Sequence, residues 1–189
     1  KRAGGKMRPI VSSLWNRMPG DAFVAKKLFS KNFEVYRGEL GAPTYAVDEP
    51  GYMYPAIFAP SYGFDQETVY LSPAPVYHAA PLRFGGVIHT VGATLVMMEK
   101  FDAEDALAAI EKYRVTHTQM VPTMFVRLLK LPEEARTRHD ISSLRCIVHA
   151  AAPCPVDVKQ RMIDWVGPIV HEYYASTEAN GATAIDSEA

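Results

Sequence analysis

The sequence predicts an α/β fold, a parallel sheet flanked by helices. Three observations carry this. From Thr68 onward, short apolar or β-branched runs alternate with longer segments of helical spacing. The alternation repeats strand, helix, strand, helix, the order that joins parallel strands by crossover helices. The composition, with 48% hydrophobic and 22% charged residues, belongs to a folded globular chain and excludes whole-chain disorder or fibrous architecture.

Two segments differ in texture. Residues 1–67 read as a Pro/Gly-rich irregular segment with one helix, punctuated by Pro9, Pro19, Pro43, Pro50, Pro55 and Pro60. The helix is expected over residues 22–29, with Asp21 as its N-cap. Residues 36–62 read as a long surface excursion. Residues 68–189 read as the α/β segment. Val69-Tyr70-Leu71 opens it as a short strand. A buried helix follows over 81–90, with Pro81 in its first turn. Thr94-Leu95-Val96-Met97-Met98 is a strand. Asp102 caps an amphipathic helix over 103–113 that sets Leu107 and Ile110 on one face. Residues 115–121 form a strand, and Pro122 starts a helix over 123–130. Residues 144–149 are a strand, Pro155 opens a helix to Trp165, and 169–174 form the last strand.

Charge and cysteine content narrow the partners. Twenty Lys+Arg against 21 Asp+Glu leave a formal net charge of -1, without the excess that nucleic acid or an anionic membrane would need. Cys146 and Cys154 cannot make a disulfide framework, so a reducing, cytoplasmic setting is expected. The apolar stretch over 84–98 contains His89 and Thr90 and is too short to span a bilayer. No apolar core follows Lys1-Arg2-Ala3-Gly4-Gly5-Lys6, so no signal peptide is expected there. The chain lacks natural boundaries and reads as part of a longer protein. The sequence is silent on oligomeric state.

In a parallel sheet, ligands sit beyond the carboxyl ends of the strands. That rule selects residues 72–80, 121–124, 149–154 and 173–178. The sequence has no G-x-G-x-x-G, no phosphate loop ending in Gly-Lys-Ser/Thr and no G-x-S-x-G. His171-Glu172 lacks a zincin's second histidine, and the histidines lack metal-ligand spacing, so His89, His117 and His139 are expected to pack rather than ligate. Tyr173-Tyr174-Ala175-Ser176-Thr177-Glu178 sets two rings, two hydroxyls and a carboxylate after a strand. A ring can stack on a purine, hydroxyls can bond phosphate oxygens, and a carboxylate can hold Mg²⁺. The same residues also suit an ordinary polar loop, with Glu178 as a helix cap. His78, between a strand and a helix start, is placed either to face a carboxylate or phosphate or simply to cap the helix. His149-Ala150-Ala151-Ala152-Pro153 either lets a flat ring approach the backbone or packs a helix tightly on the sheet.

Taken together and in order, these segments resemble the core motifs of the adenylate-forming superfamily, which includes acyl-CoA synthetases. Residues 173–178 resemble its Y-G-x-T-E motif, and residues 149–153 its adenine-side G-A-A-P loop. Tyr70-Leu71-Ser72-Pro73-Ala74-Pro75-Val76-Tyr77-His78-Ala79-Ala80-Pro81 resembles its fourth core motif as found in bacterial fatty-acyl-CoA synthetases. Val121-Pro122-Thr123 resembles the start of a helix beside the acyl pocket. The resemblance spans roughly residues 62–184.

It implies site residues. Tyr174 stacks on adenine, with Tyr173 beside it. Ala150, Ala151 and Ala152 line the adenine side. Thr177 contacts phosphate, and Glu178 ligates Mg²⁺. His78 gates the α-phosphate and the acyl carboxylate. Val121, Pro122 and Met124 flank the acyl group. The implied co-substrates are ATP, coenzyme A and a small carboxylic acid. Where the family often has glycine, this chain has Ala150 and Ala175, and each added methyl narrows the gap to a ligand. The family's phosphate loop, ribose-binding aspartate motif and catalytic-lysine domain are absent from these residues, so the segment alone is expected to be inactive. Two other functions fit less well: an aryl or amino-acid adenylating enzyme, and a nucleotide-binding homologue without turnover.

Overall fold

The computed structural model describes residues 26–29, 33–37, 53–175 and 182–187. Among them, eight strands form one sheet: β1 Lys26–Phe29, β2 Phe33–Arg37, β3 Val69–Ser72, β4 Thr94–Met98, β5 His117–Met120, β6 Cys146–His149, β7 Val170–Ala175 and β8 Ala182–Ile185. The helices are α1 Met53–Tyr62, α2 Ala79–Thr90, α3 Ala103–Tyr113, α4 Pro122–Leu129, α5 Glu133–Thr137 and α6 Val156–Val166. The spatial order is β1-β2-β4-β3-β5-β6-β7-β8. The run from β4 to β7 is parallel, while β1, β2 and β8 add antiparallel edges.

The chain reverses direction at β3. It steps to β4 on one side, then crosses back to β5, β6 and β7 on the other. Right-handed crossovers require such a reversal to put the connecting helices on opposite faces. The helices obey this. On one face α2 packs with α1 over an aromatic layer that includes Phe64, Tyr70, Phe84 and Ile88. On the other, α3, α4 and α6 pack over an aliphatic layer that includes Leu71, Val96, Leu107, Phe125, Ile147 and Met162. Successive strand residues alternate between the layers, as Tyr70 and Leu71 do in β3 and Cys146 and Ile147 in β6. Both faces are covered, so β4 reads as an unbroken apolar run.

The helices differ in local support. Asp102 caps α3, its carboxylate accepting from the backbone N–H groups of Glu104 at 3.0 Å and Asp105 at 3.2 Å. Arg114 closes α3 in the left-handed region, with φ 52°. No side chain caps the start of α2, and Gly85 and Gly86 lie inside it.

Two expectations fail in the first segment. Lys26–Phe29 is a strand where a helix over 22–29 is predicted; residues 22–25 lie outside the described residues. An eight-residue helix is marginal by itself, and β2, paired to β4, offers β1 a row of backbone partners from Lys26↔Arg37 to Phe29↔Glu34. The surface excursion over 36–62 in fact holds the end of β2 and all of α1. Pro55 and Pro60 disguise α1. The first sits in the opening turn, where no N–H is needed, but Pro60 lies inside the helix.

Candidate active site

The parallel strands all end on one edge, and the reversal splits them there. β3 and β5 share only the pairs Tyr70↔His117 and Leu71↔Thr118, whereas Ser72 still pairs with Met97 of β4 and Met120 with His149 of β6. Threonine side chains reinforce the short ladder. The Val69 N–H donates to Thr116 Oγ1 at 3.0 Å, and the Thr118 hydroxyl donates to the Leu71 carbonyl at 2.9 Å. Beyond Leu71 and Thr118 no ladder pair joins the two strands, and their chains leave for opposite faces of the sheet. Such a switch point is where open parallel sheets bind ligands.

The predicted site residues that are described lie at or follow the ends of these strands. His78 follows β3 and occupies the N-cap of α2. It is exposed, its ring 4.5 Å from that of Tyr77, and it caps no helix amide, so the capping role is excluded. Val121 follows β5 as the half-buried N-cap of α4, and Pro122 is the first residue of that helix. Met124, in the first turn of α4, is buried in the aliphatic layer. Ala150, Ala151 and Ala152 follow β6, the first buried and the other two exposed. Ala151 has φ 76°, a left-handed conformation uncommon outside glycine.

Tyr173 and Tyr174 point to opposite faces of β7. Tyr173 joins the aromatic layer, its ring 6.2 Å from Phe84, and burial pushes its hydroxyl pKa up. Tyr174 is on the other face and 74% exposed, so its ring is open to stacking. Thr177 and Glu178 lie outside the described residues. Among the described residues, no group of three or more His, Cys, Asp and Glu is placed to hold a metal ion.

A polar cluster that the sequence did not reveal lies beneath residues 150–152. His149 and Glu172 form the last ladder pair between β6 and β7. The His149 side chain is fully buried, its ring 5.3 Å from that of Phe125. Neither ring nitrogen has a hydrogen bond among the described residues, and Nε2 lies 3.6 Å from Glu172 Oε2. Lys159 Nζ, from the first half of α6, donates to the same Oε2 at 2.8 Å. That bond is the main reason the Glu172 pKa is lowered, so the carboxylate is ionised near neutral pH. Burial lowers the His149 pKa, outweighing the attraction of Glu172. Burial likewise raises that of Cys154, in the loop between them. In the sequence His149 passes for the end of an apolar strand, and nothing marks Lys159; only the His171-Glu172 dipeptide stands out, and the metal motif it suggests is incomplete.

Residues 51–189 match the family of AMP-binding enzymes. A 4-coumarate–CoA ligase-like protein of Oryza sativa subsp. japonica is 41% identical over 120 residues, which is 61% of this chain and 21% of that protein. An amide bond synthetase variant from Marinactinospora thermotolerans superposes with a TM-score of 0.66 at 25% identity, covering 73% of this chain and 27% of that one. An O-succinylbenzoate coenzyme A synthetase from Bacillus subtilis, solved with ATP and magnesium, shares the fold with a TM-score of 0.61 at 24% identity, covering 73% and 28%. The chain thus spans about a fifth of the length of the curated relatives it matches. No described helix is long and apolar enough to cross a membrane. With the family match covering most of the chain, the chain belongs to the family of AMP-binding enzymes.

Proposed function

We propose that this chain carries the adenine and acyl side of the active site of an AMP-forming acid–CoA ligase. The observation that supports it best is the parting of β3 and β5, with His78 on one lip and Val121 and Pro122 on the other. A carboxylic acid entering there lies beside residues 150–152 and Tyr174, on neighbouring strands. In the first step its carboxylate attacks the α-phosphorus of ATP, forming acyl-AMP and releasing pyrophosphate. In the second, the coenzyme A thiol attacks the acyl carbon and AMP leaves. Tyr174 stacks on adenine, and residues 150–152 border its plane. Thr177 contacts the phosphates, and Glu178 is the Mg²⁺ ligand. The ion supplies charge neutralisation on the phosphates. Val121, Pro122 and Met124 flank the acyl group. Tyr173 backs Tyr174 from the aromatic face. The free Cys146 and Cys154 favour a reducing cytoplasm.

ATP–pyrophosphate exchange by the whole protein tests this. Glu178→Gln should lower the rate by about 10²–10³, the effect of removing one preorganised electrostatic partner. Tyr174→Ala should mainly weaken ATP binding, since base stacking contributes about 1–3 kcal/mol. Residues 1–189 alone should show no exchange, because several charge-stabilising groups lie elsewhere. A fully active Glu178→Gln enzyme would overturn the metal-ligand role of that carboxylate. The acid is either aliphatic, as the fourth motif favours, or aromatic, as the relatives named for 4-coumarate and 2-succinylbenzoate favour. Running the exchange with both acid classes distinguishes them, and exchange with neither, despite ATP binding, would leave a nucleotide-binding homologue.

A further inference from the structure

The loop that carries residues 150–152 leaves β6 at His149 and returns at α6, whose Val156–Val166 span includes Lys159. Both of its ends meet one atom of the neighbouring strand. Glu172 Oε2 accepts from Lys159 Nζ at 2.8 Å and lies 3.6 Å from His149 Nε2. Two residues further along β7, on the same face of the strand, is Tyr174. The loop holds Ala151 in a left-handed conformation that persists only where its surroundings impose it. Lysine and histidine therefore bracket a strained loop, and the carboxylate between them belongs to the strand with the exposed ring.

We infer that His149, Glu172 and Lys159 form a positioning unit that fixes residues 150–152 at the height of Tyr174 and so sets nucleotide affinity. This rests on the adenine-side assignment above. None of the three need touch the reacting atoms. His149 is fully buried, with Phe125 of α4 and Glu172 of β7 beside it. The groups that face it set its charge. Glu172 attracts a proton to it, while burial and Lys159 oppose protonation, so it acts as a neutral ring near neutral pH. A neutral ring does not compete with Lys159 for the Glu172 charge, and the Lys159–Glu172 bond holds the first half of α6 against β7. Were the cluster mere packing, an apolar ring at 149 would leave ATP affinity unchanged in a folded variant.

The test uses the whole protein, with ATP as the probe in calorimetric titration and pyrophosphate exchange. His149→Phe keeps a buried ring and removes both nitrogens. Lys159→Met keeps the stem and removes the charge, and Lys159→Arg restores a donor to Glu172. We expect His149→Phe and Lys159→Met each to raise Kd and KM for ATP about tenfold, with kcat and the KM for the acid within about twofold and the thermal midpoint little changed. Lys159→Arg should recover most of the affinity. The double variant His149→Phe/Lys159→Met should lose no more than the worse single one, because both act through Glu172. If His149→Phe fails to fold, His149→Gln and the lysine pair carry the test. Unchanged ATP affinity in the folded single variants, or additive losses in the double, would sink the positioning unit while wild-type ATP binding still upheld the adenylation site. Absence of ATP binding by the wild-type protein would instead sink the site on which the unit rests.

Discussion

The two faces of the sheet are stabilised in different ways. On the aliphatic face, α3 is specified by its own sequence: a capping aspartate, acidic residues Glu104 and Asp105 in the first turn, Lys112 in the last, and a left-handed closing residue. On the aromatic face, α2 has no capping side chain, no acidic residue in its first turn and no left-handed closing residue, its last turn holds only the buried His89 as a basic residue, and it contains two glycines. What holds it is ring packing. Phe84 of α2 has the rings of Phe58, Tyr62, Phe64, Tyr70 and Tyr173 at centroid distances from 4.9 to 6.2 Å. The aromatic face also buries His89 and His117. Thus α3 rests on local signals and α2 on tertiary contacts, and the aromatic face buries two titratable rings where the aliphatic face buries one, His149.

The largest effect expected from this contrast is that of Phe84→Ala, which should lower stability by about 3–5 kcal/mol, the range for a fully buried phenylalanine. Leu107→Ala on the aliphatic face should fall in the leucine range of about 2–5 kcal/mol and is expected to be the milder change. Urea unfolding of both variants checks this, and a larger loss from Leu107→Ala would break the contrast. Acidification comes next. Burial lowers the pKa of His89 and of His117 from 6.5 to about 4. Their neutral forms favour the fold above pH 6.5, and this stability is lost as pH falls from 6.5 through about 4. Each histidine contributes up to about 3 kcal/mol over that window. His117 Nε2 lies 3.0 Å from the Tyr62 carbonyl and Nδ1 2.7 Å from the Thr116 hydroxyl, so the Nε2–H tautomer satisfies both and a second proton would displace the hydroxyl's. Denaturation midpoints measured at several pH values should flatten below pH 6.5 in His117→Gln relative to wild type.

Smaller effects sharpen the comparison. Asp102→Ala should lose about 1 kcal/mol through its cap, while His78→Ala, which removes no capping bond, should stay within about 0.5 kcal/mol. Equal losses from the two would show that α2 has a capping interaction after all. Gly86→Ala should raise stability by about 0.5–1 kcal/mol, because an added Cβ there meets nothing within 4 Å. A loss would mean that the space outside α2 is filled.

The same contrast decides what can be read from the sequence. Helix α3 is legible to the residue, Ala103–Tyr113, because cap, periodicity and closure all lie within it. The strands from β3 to β7 are legible within about two residues, since a two-sided sheet demands continuous apolar runs. Strand β1 is not, because its pairing to β2 is a contact with another segment and leaves no local mark. Helix α1 is hidden by Pro55 and Pro60. In the candidate site, the loops at the strand ends follow from the parallel-sheet rule. The opposite facing of Tyr173 and Tyr174 follows from strand alternation, yet the motif resemblance assigns both to the adenine. The His149–Glu172–Lys159 cluster has no sequence signal, because its members come from three elements that only the ladder register brings together.

The missing cap of α2 also bears on how the protein fluctuates. Amide protons exchange with solvent through local openings whose free energies range from near zero up to that of global unfolding. A helix whose first turn lacks a capping side chain and whose middle holds Gly85 and Gly86 is expected to fray at lower free energy than the capped α3. Deuterium should therefore enter α2 before α3, and α2 begins where His78 stands beside the parted strands. The mouth of the proposed site is thus lined on one side by a helix expected to open before α3, which would give an incoming acid room to enter.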